Sequence, residues 1–130
     1  MTGLILVRHG EATHNLERRW EGWGPTPLTG TGQRQAEAVA QRLADWSPPV
    51  SCLYTSPILR ARQTAAAIAR RLNTRAIDHE GLCEIDFGRV SGMTMDDFRE
   101  AMPDLYGRWH DRSDATFQYP GGEQRLDGEL

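Results

Sequence analysis

Arg8, His9 and Gly10 follow directly on four aliphatic residues, Leu4–Val7, so a fixed cation, an imidazole and a glycine close an apolar run. That order of residue types suits an anion bound beyond the carboxyl end of a buried strand, where open α/β sheets hold their ligands. A second cation, Arg60, stands just after Ser56–Pro57. Serine and proline there read as the N-cap and first position of a helix, whose unpaired N–H groups and positive dipole end also favour negative charge. Two guanidinium groups, a helix N-terminus and an imidazole converging on one point predict an anion pocket. Arginine's planar fork makes phosphate its natural guest.

The elements that must position these residues follow from pattern. Leu4–Val7 reads as a fully buried strand, and residues 10–29, with three glycines and two prolines, read mostly as loop. Thr29 is a candidate N-cap for a helix over about 30–45, with Ala36, Val39, Ala40 and Leu43 on one apolar stripe. Val50–Thr55 reads as a second strand, and Ser56–Pro57 opens a helix to about Leu72 with the stripe Ala61, Ala65, Ile68 and Leu72. A third short strand is expected near Arg75–His79. Thr94 caps a helix to Met102, Pro103 breaks it, and a further turn or two runs to His110. PGG at 120–122 is a turn, and Glu123–Leu130 reads as the start of a helix. Strand, helix, strand, helix, strand is the order of an α/β fold with a mostly parallel sheet flanked by helices. The length of 130 residues is that of one domain, spanning 1–130.

Composition narrows the class. The net charge is −3, but residues 1–75 carry ten Arg against five acids and residues 76–130 carry five Arg against thirteen; lysine is absent. An acidic balance without a basic run interleaved with aromatics argues against a nucleic-acid partner. No apolar run reaches the roughly 18 residues of a membrane span, and no secretory signal is visible, so a cytoplasmic protein without a membrane partner is expected. Cys52 and Cys83 have neither metal nor CxxC spacing and are expected as reduced thiols. No metal site or cofactor is predicted. Arg62, His79 and His110 are read as surface residues, His14 as a loop side chain, and Trp20, Trp23, Trp46 and Trp109 as packing residues, with Trp23 able to form a pocket wall.

RHGEATHN (Arg8–Asn15) resembles the RHGExxxN signature of the histidine phosphatase superfamily, also called phosphoglycerate mutase-like. The likeness continues through GW…PLTGTGQRQA (Gly22–Ala36), TSPILRARQTA (Thr55–Ala65), LCEIDFG (Leu82–Gly88) and PGGE (Pro120–Glu123), in the family's order along nearly the whole chain. The resemblance implies a phosphoglycerate mutase-like fold. It makes His9 the nucleophile that takes up a phosphoryl group, and Glu84 the proton donor to the leaving oxygen. It also implies that Arg8, Arg60, Asn15 and the backbone at Gly22 line the phosphate or substrate. The two arginines disfavour the imidazolium and stabilise the transferring phosphoryl group, so no metal is needed. The substrate is expected to be a small phosphorylated metabolite.

The family pattern also holds a second catalytic histidine, at the end of an apolar strand reading His-Gly beyond the PGGE turn. No histidine of this chain ends such a run. The chain is therefore expected to match the N-terminal portion of the family fold, truncated after PGGE. That would leave an open edge on the first strand, favouring a homo-oligomer, and would slow hydrolysis. LCEIDFGRVSGMT lacks the longer segment of the mutases around its glutamate, which favours a phosphatase. Mutase-type phosphoryl transfer and a catalytically silent phosphate-binding module are the alternatives.

Overall fold

A computed structural model describes residues 3–124. They pack as two compact units, one formed by the chain up to Thr13 with Pro25–Cys83, the other by His14–Gly24 with the chain from Glu84 onward. The elements in chain order are α1 (Thr13–Leu16), α2 (Gly30–Ala44), β1 (Leu53–Thr55), α3 (Leu59–Leu72), β2 (Ala76–Asp78), α4 (Met95–Ala101) and α5 (Pro103–His110). Short 3-10 turns lie at Glu80–Leu82 and Gly88–Val90. Among the described residues no helix is long and apolar enough to cross a membrane.

The first unit is a βαβ arrangement. β1 and β2 pair in parallel, with Leu53 opposite Ala76 and Thr55 opposite Asp78, and α3 is the crossover between them. α2 begins where the Thr29 hydroxyl accepts the Gly32 N–H at 3.0 Å, a side-chain cap that satisfies one of the helix's orphan donors. Ala36, Ala40 and Leu43 are buried along its inner face. Ala36 packs with Leu28 and Ala67, and Ala40 and Leu43 pack with Ile68. Alanines at these positions let α2 and α3 approach closely. α3 ends on Asn73 in the left-handed conformation (φ 51°), whose N–H reaches back to the Ala69 and Arg70 carbonyls.

Three expectations for this unit are corrected. Leu4–Val7 is not a buried strand. It pairs in no ladder among the described residues, and Leu4 and Leu6 are 83 % and 82 % exposed while Ile5 and Val7 are 40 %. Apolar composition predicts burial, but a strand is buried only by partners distant in sequence, and here the sheet consists of β1 and β2. The second strand is three residues, Leu53–Thr55, rather than 50–55. α3 starts two residues later than Ser56–Pro57 predicted. Ile58 is the N-cap, with extended backbone and no capping side chain, because the Ser56 hydroxyl takes the Ile58 N–H in a local turn before the helix begins.

The second unit is built on aromatic packing. Val90, Phe98, Phe117 and Tyr119 are buried, with Trp20, Phe87, Tyr106 and Trp109 packed around them. The Trp20 ring meets Phe87 edge-on at 5.1 Å and Trp109 at 5.3 Å, the arrangement ring quadrupoles favour. Trp20 and Trp109 are thus packing residues, whereas Trp23 and Trp46 are exposed. Trp46 instead lies under the Arg42 guanidinium, in the first unit. α4 opens with a full capping box: the Thr94 hydroxyl accepts the Asp97 N–H while the Asp97 carboxylate accepts the Thr94 N–H. Pro103 occupies the first turn of α5, where its missing N–H costs nothing. The helix expected from Glu123 falls mainly on residues 125–130, outside the described residues, and Gln124 makes a bridge with Gln118.

Candidate active site

His9 belongs to the first unit, in the loop that follows Leu4–Val7. The loop is pinned by glycines: a Cβ on Gly10 would run into the Gly32 carbonyl, and one on Gly32 into the Glu11 carbonyl. Backbone therefore lies directly on backbone where α2 begins. Glu11 adds to this by accepting the Thr29 hydroxyl at 2.7 Å and receiving the Thr29 N–H on its carbonyl at 2.9 Å.

The partners of the His9 ring define its tautomer. Nδ1 lies 2.7 Å from the Gly10 carbonyl, which can only accept, so Nδ1 carries the proton. Nε2 lies 3.2 Å from Nε of Arg60, which can only donate, so Nε2 presents a lone pair. In this arrangement the Nε2 lone pair faces a guanidinium. Arg60 sits in the first turn of α3 and is 2 % exposed. Arg8 is exposed and lines a cleft of about 190 Å³ with His9 and Gly10, faced by Gln35, Ala36 and Val39 of α2 and Thr64 of α3. That is below the roughly 300–1,000 Å³ of drug-sized ligand pockets, a volume suited to a small group.

The structure thus sets Arg60 against the His9 ring and Arg8 beside His9 along the cleft, whose lining residues do not include Arg60. These three belong to the first unit, and Asn15, Gly22 and Glu84 to the second. Asn15 lies on α1, where its amide donates to Nε2 of His14 at 3.1 Å. His14 is a buried helical side chain rather than a loop residue, because the chain makes a helical turn at Thr13–Leu16 that its loop-like composition concealed. Gly22 is buried, and a Cβ there would stand 2.6 Å from the Ile85 carbonyl. The Glu84 side chain is exposed and accepts the Ile85 N–H at 2.8 Å, while its backbone carbonyl accepts the Trp23 indole N–H at 2.7 Å. Gly22, Trp23 and Glu84 therefore share one neighbourhood.

Sequence reasoning gave the PGGE stretch no task beyond a turn. Its Glu123 carboxylate accepts the Asp86 N–H at 2.8 Å, and its own N–H donates to the Asp86 carbonyl at 2.8 Å. With Gly88 at φ 52° and no room for a Cβ against Pro120–Gly122, this fixes the loop that follows Glu84. Among the described residues no group of three or more His, Cys, Asp or Glu is placed to hold a metal ion, and Cys52 and Cys83 are free thiols.

Comparison with known proteins matches residues 4–127 to the histidine phosphatase superfamily (branch 1). Phosphoserine phosphatase 1 of Hydrogenobacter thermophilus (strain DSM 6534 / IAM 12695 / TK-6) is 34 % identical over 123 residues, covering 95 % of this chain and 57 % of that protein. The 2,3-bisphosphoglycerate-dependent phosphoglycerate mutase of Allorhizobium ampelinum (strain ATCC BAA-846 / DSM 112012 / S4) is 33 % identical over 135 residues, covering 98 % and 62 %. The crystal structure of the alpha-ribazole phosphatase from Shigella flexneri superposes with a TM-score of 0.81 at 27 % identity, covering 91 % of this chain and 57 % of that one. The chain spans less than two thirds of the length of each.

Proposed function

The chain belongs to the histidine phosphatase superfamily, and on that premise we propose that it hydrolyses phosphomonoesters of small metabolites through a phosphohistidine on His9. The observation that carries this reading is the ring's fixed polarity: Nδ1–H on the Gly10 carbonyl, and the Nε2 lone pair against Arg60. In the first step Nε2 forms a bond to phosphorus as the P–O ester bond breaks. The leaving oxygen takes a proton, a role that Glu84 has by its place in the LCEIDFG motif. Water then attacks phosphorus, giving a proton back to the Glu84 carboxylate as the P–N bond breaks, so that phosphate departs and Nε2 recovers its lone pair. Arg8 and Arg60 balance the charge on the phosphoryl oxygens throughout, so the reaction as written uses no metal or cofactor. Asn15 and the Gly22 backbone contact the rest of the substrate. The relatives named phosphoserine phosphatase and alpha-ribazole phosphatase support a small phosphorylated metabolite as substrate.

Steady-state hydrolysis of p-nitrophenyl phosphate in the presence of EDTA tests this. Wild-type protein is expected to turn over, and His9→Ala to lose at least about a thousandfold in kcat, the scale of removing a nucleophile. Equal rates in the two proteins, or phosphate binding without turnover, would refute the hydrolase reading. The mutase relative gives a specific alternative. Phosphoryl exchange between phosphoglycerates that outruns release of phosphate to water would favour it.

A further inference from the structure

We infer that Thr64 is a positioning residue for His9, acting through the backbone of Gly10, with Gln35 holding the same backbone from its other side. The inference rests on the reading of His9 as nucleophile and adds what sets the ring's tautomer. Thr64 stands one turn after Arg60 on α3, hence on the same face, and is 4 % exposed. Its hydroxyl accepts the Gly10 N–H at 3.1 Å and donates to the Arg60 carbonyl at 2.9 Å. One buried oxygen therefore joins the loop that carries the histidine to the helix turn that carries the arginine.

The Gly10 carbonyl is the group that takes the Nδ1 proton of His9. The N–H of that same peptide unit, belonging to Glu11, donates to Oε1 of Gln35 at 2.8 Å. Thr64 thus holds the peptide before Gly10 and Gln35 the peptide after it, so the carbonyl keeps its aim at Nδ1. Which ring nitrogen carries the proton is decided by the bond the other one makes, so an aimed carbonyl keeps Nε2 free of hydrogen. A threonine hydroxyl that only bonds back along its own helix is ordinary and would leave the ring unaffected. Here the second bond crosses to a residue 54 positions away.

The test compares wild-type chain with Thr64→Val, Thr64→Ser and Gln35→Leu. The His9 ring nitrogens are observed by long-range ¹⁵N NMR at a pH where the ring is neutral, and hydrolysis of p-nitrophenyl phosphate is measured in parallel. Wild type and Thr64→Ser are expected to show a single Nδ1–H tautomer. Thr64→Val is expected to show a mixture with the Nε2–H form, with kcat lower by about tenfold and KM nearly unchanged, the scale of one lost buried hydrogen bond. Gln35→Leu should move the same way by less, because water can replace an exposed partner. A wild-type tautomer in Thr64→Val overturns the inference. Should valine at 64 prevent folding, Gln35→Leu reads the next peptide unit, which carries the Gly10 carbonyl itself, and an unchanged tautomer there overturns the inference equally. Absence of turnover in every protein would count against the hydrolase reading alone, since the ring spectra still decide this one.

Discussion

A buried guanidinium is costly to keep, because burial removes the water that solvates its charge. Arg60, at 2 % exposure, is nonetheless aimed at Nε2 of His9. Under the proposed mechanism a cation in that place stabilises the negative phosphoryl oxygens during transfer, and a low-polarity setting strengthens the effect. Arg60→Met keeps most of the side-chain volume and is expected to lower kcat by about 10²–10³-fold, the loss seen when one such donor is removed. Arg60→Lys should recover little, since an ammonium lacks the planar fork. Near-wild-type turnover of p-nitrophenyl phosphate by Arg60→Met would remove the arginine from the mechanism. At this scale the sequence was readable where a residue type implies its chemistry. His9 and Arg60 stood out by type and place. Thr64 did not, although its four-residue spacing from Arg60 was a usable signal. Gln35 left no signal, because its part depends on a loop 24 residues away. Glu123 stood in the PGGE stretch, but its partner did not show, Asp86 being 37 residues distant.

Elements whose ends are fixed by local chemistry were legible, and those fixed by remote partners were not. Thr29 and Thr94 cap α2 and α4 because a hydroxyl two or three residues before a helical N–H needs nothing else. Leu4–Val7 failed because burial of a strand depends on neighbours outside its own window. The segment after α5 shows what local hydrogen bonds contribute. Arg108 donates to the Asp114 carboxylate at 2.8 Å and the Thr116 hydroxyl donates to it at 2.7 Å; these contacts hold its pKa down to about 2. A carboxylate with a depressed folded pKa contributes stability that is complete above its unfolded value near 4, and that stability is lost as pH falls through about 2. Urea unfolding of wild type and Asp114→Asn should therefore show a gap in midpoint at pH 5 that narrows towards pH 2. A gap independent of pH would mean that the charge of Asp114 contributes nothing. Asp97, lowered chiefly by the Thr94 backbone N–H of the capping box, shifts in the same direction, so wild type should weaken in acid at both places.

For the whole molecule, the alternation of strands and helices pointed to the fold class, since parallel strands need a crossover connection, usually a helix. It did not reveal that the described residues form two compact units, because that division follows contacts between segments far apart in the chain. The arginine-rich first part and acid-rich second part were plain from composition, and both arginines assigned to the candidate site, Arg8 and Arg60, lie in the first part. All of this converges on one nitrogen atom. Single-turnover reaction with a ³²P-labelled phosphomonoester, quenched in alkali where phosphohistidine survives and mapped by mass spectrometry, is the most direct measurement. The account predicts transient label on Nε2 of His9 that decays as phosphate appears, and none in His9→Ala. Hydrolysis that proceeds with no label on His9, or with label on another residue, would contradict it.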